Sequence, residues 1–266
     1  MSRPGRIPRR SALRAAIALG TAVTLGGTLA GCRTSAPSGA VLSDGTLDDG
    51  HGGNGARWRL AVPEGTAPRG LVVALHGFGG DADAAFGLGY GDAVAATGLA
   101  LVSVDGGNGY WHARRDSTDS GAMVREDLIP TALDRCGLPA STRVGLLGWS
   151  MGGFGALLLA GDLGPARVNG VVAASAALWR TAAETPAVAF DDRGDFERHS
   201  IFGRVARLAG MPVRLDCGES DPFIRANRAL AEQLPGVETH FEPGGHEDDW
   251  WRAHAAAEMT WLAARA

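Results

Sequence analysis

Short apolar runs alternate with longer segments of helical periodicity from Arg57 to the end of the chain. The apolar runs predict strands and the longer segments predict helices. The predicted strands are Trp58–Val62, Leu71–His76, Leu99–Asp105, Arg143–Trp149, Val168–Ala174, Pro212–Cys217 and Glu238–Phe241. The predicted helices are Ala82–Thr97, Met123–Cys136, Met151–Leu163, Ile224–Leu234 and Asp249–Ala264. This alternation is typical of an α/β protein with a mostly parallel sheet, here of about seven or eight strands, covered by helices on both faces.

The first 31 residues have a different pattern. They carry five arginines and no acidic residue, followed by an apolar stretch of about 16 residues, which predicts an export signal. Arg9-Arg10 resembles a twin-arginine signal, and Leu29-Ala30-Gly31-Cys32 resembles a bacterial lipobox. The lipobox implies cleavage before Cys32 and lipid attachment to it, so we expect an exported protein anchored to the outer face of the cytoplasmic membrane. A membrane-spanning anchor is the alternative, but the stretch is shorter than the ~20 apolar residues that a bilayer span needs.

Residues 32–56 are rich in Ser, Gly and Asp and have no apolar period, which predicts a flexible tether. Residues 57–266 contain no internal repeat and suit one domain with a sizeable core. The expected organisation is therefore an export signal at 1–31, a tether at 32–56 and a folded domain at 57–266.

Charge excludes several classes of function. Removal of the export signal leaves 20 arginines against 29 acidic residues, and no arginine cluster is interleaved with aromatic residues, so nucleic-acid binding is not expected. All basic residues other than histidine are arginines. The absence of lysine rules out a P-loop lysine, a Schiff-base lysine and a Ser-Lys dyad, so a nucleophilic serine must be activated by histidine.

Cysteine positions argue against a disulfide. If Cys32 carries lipid, Cys136 and Cys217 are the remaining pair. Cys136 ends a predicted helix at one edge of the sheet, whereas Cys217 ends a predicted strand at the opposite edge, roughly 17 to 20 Å away. We expect two free thiols.

Ser150 is the candidate nucleophile. The sequence Gly148-Trp149-Ser150-Met151-Gly152 connects a predicted strand to a predicted helix, as a nucleophile elbow does. The alternative is an ordinary helix start in a chain with 40 glycines. The small neighbours permit a sharp turn, and the Met151 N–H at the helix N-terminus is a candidate donor to an oxyanion.

A second glycine-rich segment, His76-Gly77-Phe78-Gly79-Gly80, follows a predicted strand. Its glycines allow backbone N–H groups to face a developing oxyanion, and the Phe78 N–H is the candidate donor. His76 is expected to pack and to hydrogen-bond under this loop rather than to react.

Acidic and basic partners for the serine follow later strands. In "VRLDCGESDPF", Asp221 lies past the strand end and is the candidate acid, with Glu219 next; Asp221 could also cap the following helix. His246 follows the last strand in a loop loosened by Gly244 and Gly245, where it can reach a serine. His254 is expected to be structural. A metal pair of His246 and His254 lacks a third ligand at a suitable spacing, so we expect neither a metal nor a cofactor.

These residues carry a family resemblance. His76-Gly77, the Gly148–Gly153 turn, Asp221, His246 and the helix start Asp127-Leu128-Ile129-Pro130 resemble the putative-esterase family of α/β-hydrolases, which includes esterase D type enzymes and secreted mycolyltransferases. The resemblance implies an α/β-hydrolase fold with Ser150 as nucleophile, Asp221 as acid and His246 as base. It also implies that the Phe78 and Met151 amides form the oxyanion hole.

Two segments are expected near the pocket. The glycine-rich loop Val104–His112 should line it. The segment between the Val168 and Pro212 strands predicts a small cap, although its aromatic residues could equally belong to the core; they are Trp179, Phe190, Phe196 and Phe202. So short a cap favours an open, modest acyl pocket.

Three functions are compatible with these residues. The first is a serine hydrolase that cleaves small-molecule or lipid carboxylic esters through an acyl-enzyme intermediate. The alternative is an acyltransferase of the same fold that acts on cell-envelope sugars or lipids. The third is a surface binding protein that has the fold without catalysis.

Overall fold

A computed structural model of the chain describes residues 37–47, 51 and 55–266. In these residues eight strands form one sheet in the order β1-β2-β4-β3-β5-β6-β7-β8. The strands are β1 Ala40–Thr46, β2 Arg57–Pro63, β3 Leu71–Leu75, β4 Ala100–Val104, β5 Val144–Trp149, β6 Val168–Ala174, β7 Val213–Gly218 and β8 Glu238–Glu242. β2 is antiparallel to both β1 and β4, and the remaining pairs are parallel. The fold is that of an α/β-hydrolase, as expected.

Nine α-helical segments surround this sheet in the described part of the chain. They are α1 Ala84–Gly87, α2 Val94–Thr97, α3 Ser120–Ala122, α4 Ile129–Arg135, α5 Met151–Leu163, α6 Arg193–His199, α7 Ile201–Arg204, α8 Ile224–Ala231 and α9 Asp248–Ala263. The main clusters of buried apolar side chains lie on the two faces of the sheet. On one face α5 packs against β5 and β6, and on the other face α9 packs against β6.

The seven predicted strands are confirmed, with bounds that shift by no more than one residue. Two predicted helices are irregular. Ala82–Thr97 is divided at Gly89, whose φ of 84° is left-handed and ends the helical turn. Met123–Cys136 begins three residues earlier at α3 and passes through a π-helical stretch at Met123–Leu128 before α4. Pro130 lies in the first turn of α4, where the N–H that it lacks is not needed.

The tether prediction was wrong for residues 40–46. This segment is β1, which pairs with β2 from Ala40 opposite Pro63 to Thr46 opposite Arg57. A side chain at Gly45 would place its Cβ 2.6 Å from the Trp58 ring, so the glycine allows strand and indole to pack. β1 has three apolar residues, Ala40–Leu42, followed by four polar or small ones, so it lacks the apolar run or alternation by which a strand is recognised in a sequence. The export signal and Cys32 lie outside the described residues.

The aromatic residues between β6 and β7 belong largely to the core. Phe190 and Phe196 are buried, and Phe190 meets Phe154 of α5 edge-to-face at 5.7 Å. Trp179 and Phe202 are partly buried against the same core. The small cap is therefore anchored to the sheet layer by its own apolar side chains.

Cys136 and Cys217 are both free. Cys136 follows α4, and Cys217 lies within β7. Burial raises the pKa of the Cys136 thiol to about 11 and that of Cys217 to about 12. In the described residues, no helix is long and apolar enough to span a bilayer.

Four buried polar side chains form a network between β7, α9 and the turn before α2. Arg214 donates two short hydrogen bonds to Asp216, from Nε at 2.8 Å and from Nη2 at 2.6 Å. The Tyr90 hydroxyl donates to Glu258 at 2.6 Å. Burial, and then the charge of Asp216, raises the pKa of Glu258 well above its ordinary value of 4.5. The Glu258 carboxyl therefore keeps its proton to a higher pH in the folded protein than in the unfolded chain.

The raised pKa of Glu258 predicts that the protein loses stability as pH rises and that Glu258→Gln removes this loss. The unfolded chain ionises residue 258 near its ordinary pKa of 4.5, whereas the folded chain keeps it protonated to a higher pH. The stability that this group contributes is fully present below its unfolded pKa of 4.5. It is lost as pH rises from there to the folded pKa, by up to about 1.4 kcal/mol per pH unit. Urea unfolding at about pH 5 and about pH 8.5 should show the Glu258→Gln variant gaining stability relative to wild type at the higher pH. The exposed Glu64→Gln serves as the control; parallel pH dependences of wild type and Glu258→Gln would contradict the prediction.

Candidate active site

Ser150 occupies a strained turn between β5 and α5. Its φ of 55° and ψ of −119° are rarely adopted by a residue with a side chain. Its N–H donates to the Ala174 carbonyl at 2.9 Å, and its own carbonyl accepts from the Ala177 N–H at 2.9 Å. Both contacts join the turn to the end of β6, so the hydroxyl stands at the carboxyl edge of the sheet.

The glycines around Ser150 are required by close backbone contacts. A Cβ at Gly152 would lie 1.9 Å from the Leu75 carbonyl oxygen, and a Cβ at Gly148 would lie 2.1 Å from the Gly152 oxygen. No side-chain movement could relieve either clash, because both neighbours are backbone. The spacing Gly-x-Ser-x-Gly is thus set by the approach of α5 to β3 and β5.

The structure brings Ser150, His246 and Asp221 together. The Ser150 hydroxyl lies 2.9 Å from His246 Nε2, and His246 Nδ1 lies 2.8 Å from Asp221 Oδ2. The side chain of Asp221 is fully buried, while that of His246 is 25% exposed. A carboxylate at Nδ1 fixes the ring as the tautomer whose Nε2 accepts the serine proton.

Aromatic side chains hold the imidazole in place. The His246 ring meets Trp251 of α9 edge-to-face at 4.9 Å, and Phe223 lies against it at 5.4 Å. Trp251 is itself fixed by a 3.0 Å hydrogen bond from its indole N–H to Ser175 Oγ. These supporting residues could not be predicted from the sequence, since their contacts depend on how α9 lies across the sheet. The only signal was the double tryptophan that follows His246.

Asp221 also organises the chain before α8. Its Oδ1 accepts the Phe223 N–H at 2.8 Å, and its carbonyl accepts the Ile224 N–H. The helix has Phe223 as its N-cap residue, so the expected capping role is displaced to the turn just before the helix. Glu219 instead faces Arg228 at 3.3 Å and is half-exposed. Asp216 belongs to the buried network with Arg214.

Ser150 opens into a cleft of about 580 Å³. Its walls are the loop after β3, the small helix α1 and the first turn of α9; they include Phe78, Leu88, Trp149, Asp248, Trp251 and Arg252. Phe78 is an exposed apolar side chain at the rim. The cleft therefore combines apolar side chains with one acidic and one basic side chain of α9, Asp248 and Arg252.

The amides of Phe78 and Met151 both lie beside the serine. A Cβ at Gly77 would stand 3.4 Å from Ser150 Cβ, so the residue before Phe78 lies against the serine. Met151 is the first residue of α5. Within residues 55–266 neither amide donates to a protein acceptor, which leaves both N–H groups available to a ligand.

His76 lies beneath this loop. Its Nε2 accepts the Gly106 N–H at 3.0 Å, so Nδ1 carries the proton and donates to the Gly77 carbonyl at 2.7 Å. Burial lowers the pKa of His76, which favours this neutral form. His254 stacks on Trp250 at 3.9 Å and bonds its backbone carbonyl.

A further cluster joins the cap to the loop before α3. His112, Asp195 and His199 bring potential metal-ligating atoms within 4.8 Å of one another. The two imidazoles stack at 4.3 Å with planes 24° apart, so their lone pairs cannot both point at one ion at about 2 Å. Both nitrogens of His112 instead contact backbone carbonyls, at 3.0 and 3.1 Å. The arrangement fits a hydrogen-bonded anchor for the cap better than a metal centre.

Comparison with known proteins identifies the family of this chain. The family model described as "Putative esterase" matches residues 90–262, which include Ser150, Asp221 and His246. No curated protein matches the chain significantly.

Solved structures share the fold at low sequence identity. The fluorophosphonate-binding serine hydrolase FphF of Staphylococcus aureus is 14% identical with a TM-score of 0.73, covering 84% of this chain and 98% of its own. An S-formylglutathione hydrolase from Agrobacterium tumefaciens is 18% identical with a TM-score of 0.73, at 85% and 96% coverage. MPT51 (FbpC1) of Mycobacterium tuberculosis is 16% identical with a TM-score of 0.70, at 85% and 99% coverage.

Proposed function

This chain belongs to the Putative esterase family and is a carboxylic-ester hydrolase, and we propose that it cleaves its esters with Ser150, His246 and Asp221 as a catalytic triad. The observation that carries the proposal is the continuous hydrogen-bonded path from the Ser150 hydroxyl through both nitrogens of His246 to the buried Asp221 carboxylate. A strained serine at a strand-to-helix turn, with two free amides beside it, is the arrangement that acyl transfer requires.

In the first half-reaction, Ser150 Oγ bonds to the ester carbonyl carbon as its proton passes to His246 Nε2. The carbonyl π electrons move to oxygen, and the Phe78 and Met151 amides donate to the resulting oxyanion. When the tetrahedral species collapses, the bond to the alkoxy oxygen breaks and His246 gives its proton to the leaving alcohol. Asp221 stabilises the imidazolium meanwhile and does not itself take a proton.

In the second half-reaction, a water molecule loses its proton to His246 Nε2 and attacks the acyl carbon. A second tetrahedral species forms in the same site, and its collapse breaks the bond to Ser150 Oγ, which regains the proton. The acid is released, and the enzyme returns to its starting state.

An acyl transfer reaction differs only in the second nucleophile. The cleft is open to solvent and His246 is 25% exposed, so an alcohol can approach Nε2 along the path that water uses. Acyl transfer to hydroxyl groups of cell-envelope sugars or lipids is therefore the second candidate function.

We further propose that the protein is exported and held at the outer face of the cytoplasmic membrane through lipid on Cys32. The support is the arginine-rich, acid-free segment before an apolar stretch and the sequence Leu29-Ala30-Gly31-Cys32.

Substitution of Ser150 should abolish covalent labelling by a fluorophosphonate, because the hydroxyl is the proposed site of attachment. Turnover of a short-chain p-nitrophenyl ester should fall by several orders of magnitude in Ser150→Ala and His246→Ala, and by about 10⁴-fold in Asp221→Asn. Glu219→Gln is the matched control, since this exposed carboxylate faces Arg228 and its loss should leave turnover unchanged. An unlabelled wild-type protein would favour the non-catalytic binding function.

A panel of esters should show a preference for short acyl chains, because the open cleft at Ser150 holds only about 580 Å³. The panel is run with and without an acceptor alcohol such as glycerol or a monosaccharide, and products are separated by chromatography. Hydrolysis predicts free acid as the main product in both conditions, whereas transfer predicts a new ester with the acceptor. Turnover of long acyl chains alone would contradict the open pocket.

Lipid attachment predicts a mature protein that begins at Cys32 and carries acyl groups on it. Expression of the full chain in a bacterial host and mass spectrometry of the membrane fraction would measure this directly. Cys32→Ser should prevent both acylation and membrane retention. A wild-type protein that keeps residues 1–31, or that has an unmodified Cys32, would refute the anchor.

A further inference from the structure

Two loops at the carboxyl edge of the sheet are bound to each other by two hydrogen bonds, and a third lies just beyond them. We call residues 76–80, after β3, the oxyanion loop and residues 105–109, after β4, the β4 loop. The Gly106 N–H donates to His76 Nε2 at 3.0 Å, and the Gly79 N–H donates to Asn108 Oδ1 at 2.7 Å. The third bond runs from the Ala82 N–H, just beyond the oxyanion loop, to Asp105 Oδ1 at 2.7 Å.

The first of these contacts orients the peptide that carries the Phe78 N–H. In a trans peptide the N–H points away from the C=O of the same unit, so fixing the Gly77 carbonyl fixes the Phe78 amide. That carbonyl accepts from His76 Nδ1 at 2.7 Å and from the Gly80 N–H at 3.0 Å. Its partner N–H is thereby directed away from the His76 side of the loop.

The following peptide, between Phe78 and Gly79, is held from outside the loop by Asn108. Gly79 has a left-handed φ of 78°, and a Cβ there would meet nothing within 4 Å. The Gly80 N–H bond to the Gly77 carbonyl closes a turn over residues 77–80, and the Phe78–Gly79 peptide is the central unit of that turn. Its N–H bond to Asn108 Oδ1 holds this unit from outside the loop. Loss of the Asn108 bond would allow the turn to change conformation and would loosen the Gly80 contact that orients the Gly77 carbonyl and, with it, the Phe78 N–H.

We propose that Asn108 is a positioning residue for the oxyanion site, acting through Gly79 on the amide of Phe78. This inference rests on the proposed triad mechanism, which makes that amide a donor to the transition state. Asn108 does not touch the serine or the histidine; its side chain acts on the reaction only through the backbone that it holds.

The β4 loop is shaped to present this side chain. Tyr110 and Trp111 both have left-handed backbones, with φ of 58° and 60°, which is unusual for two consecutive aromatic residues. Both are buried, and the Trp111 ring occupies the space where a Cβ on Gly106 would lie. Such conformations persist only where surrounding packing enforces them, so the backbone that carries exposed Asn108 is itself held firmly.

The test compares Asn108→Ala, which removes the acceptor, with Asn108→Asp, which keeps an oxygen at the same place. The oxyanion forms only in the transition state, so Asn108→Ala should lower kcat about 10- to 100-fold and leave KM nearly unchanged. Asn108→Asp should restore most of the loss. Thr118→Val is the matched control, because among the described residues Thr118 Oγ1 bonds Asp116 and does not reach the oxyanion loop.

A second readout separates positioning from a general structural effect. A trifluoromethyl ketone adds to the serine and places its own oxyanion in the site, so its inhibition constant should rise in Asn108→Ala by the factor that kcat falls. Thermal unfolding should be almost unchanged, since the side chain is exposed. Asn108→Ser, whose shorter side chain cannot span to Gly79, gives the same comparison if the alanine variant does not fold.

Two results would overturn the positioning role while leaving the triad intact: wild-type kcat in Asn108→Ala, or equal losses in the Ala and Asp variants. Absence of fluorophosphonate labelling in the wild-type protein would instead remove the proposed mechanism itself, before any variant is compared.

Discussion

The site depends on a contact between two pieces of backbone. The N-terminus of α5 approaches β3 so closely that a single methyl group at Gly152 would stand 1.9 Å from the Leu75 carbonyl. That approach forces the chain to turn sharply at Ser150, and the turn lifts the hydroxyl above the carboxyl edge of the sheet. Met151, whose amide is a proposed oxyanion donor, follows directly as the first residue of α5. The proposed nucleophile and this proposed donor are therefore products of one steric constraint.

The residues that meet at this edge come from strands whose order the chain pattern could predict. Ser150, Asp221 and His246 each follow a strand, and in a parallel sheet all such positions share one edge. The three side chains could thus be predicted from the sequence, although the distances between them could not. It could not identify Trp251 or Ser175 as supports for the imidazole, because their contact depends on the rotation and position of α9.

Other features were hidden for different physical reasons. β1 is an edge strand with one buried residue, Ala40, and neither an apolar run nor an alternating pattern, whereas its partner β2 buries four residues. His112 and Asp195 come from segments far apart in the chain, so no local spacing could show that they meet. The bound between α1 and α2 is set by one left-handed glycine in a sequence whose periodicity is otherwise helical.

The reactivity of the free thiols depends on local opening of the fold. A thiol with a pKa of about 11 or 12 is almost wholly protonated at neutral pH and reacts slowly with alkylating reagents while it stays enclosed. Cys217 lies in β7, a few residues before the carboxylate that holds the imidazole, whereas Cys136 lies beside α4. The rate at which an alkylating reagent reaches the buried Cys217 would therefore report on local opening of β7 near the Asp221–His246 contact, with the partly exposed Cys136 as the reference thiol.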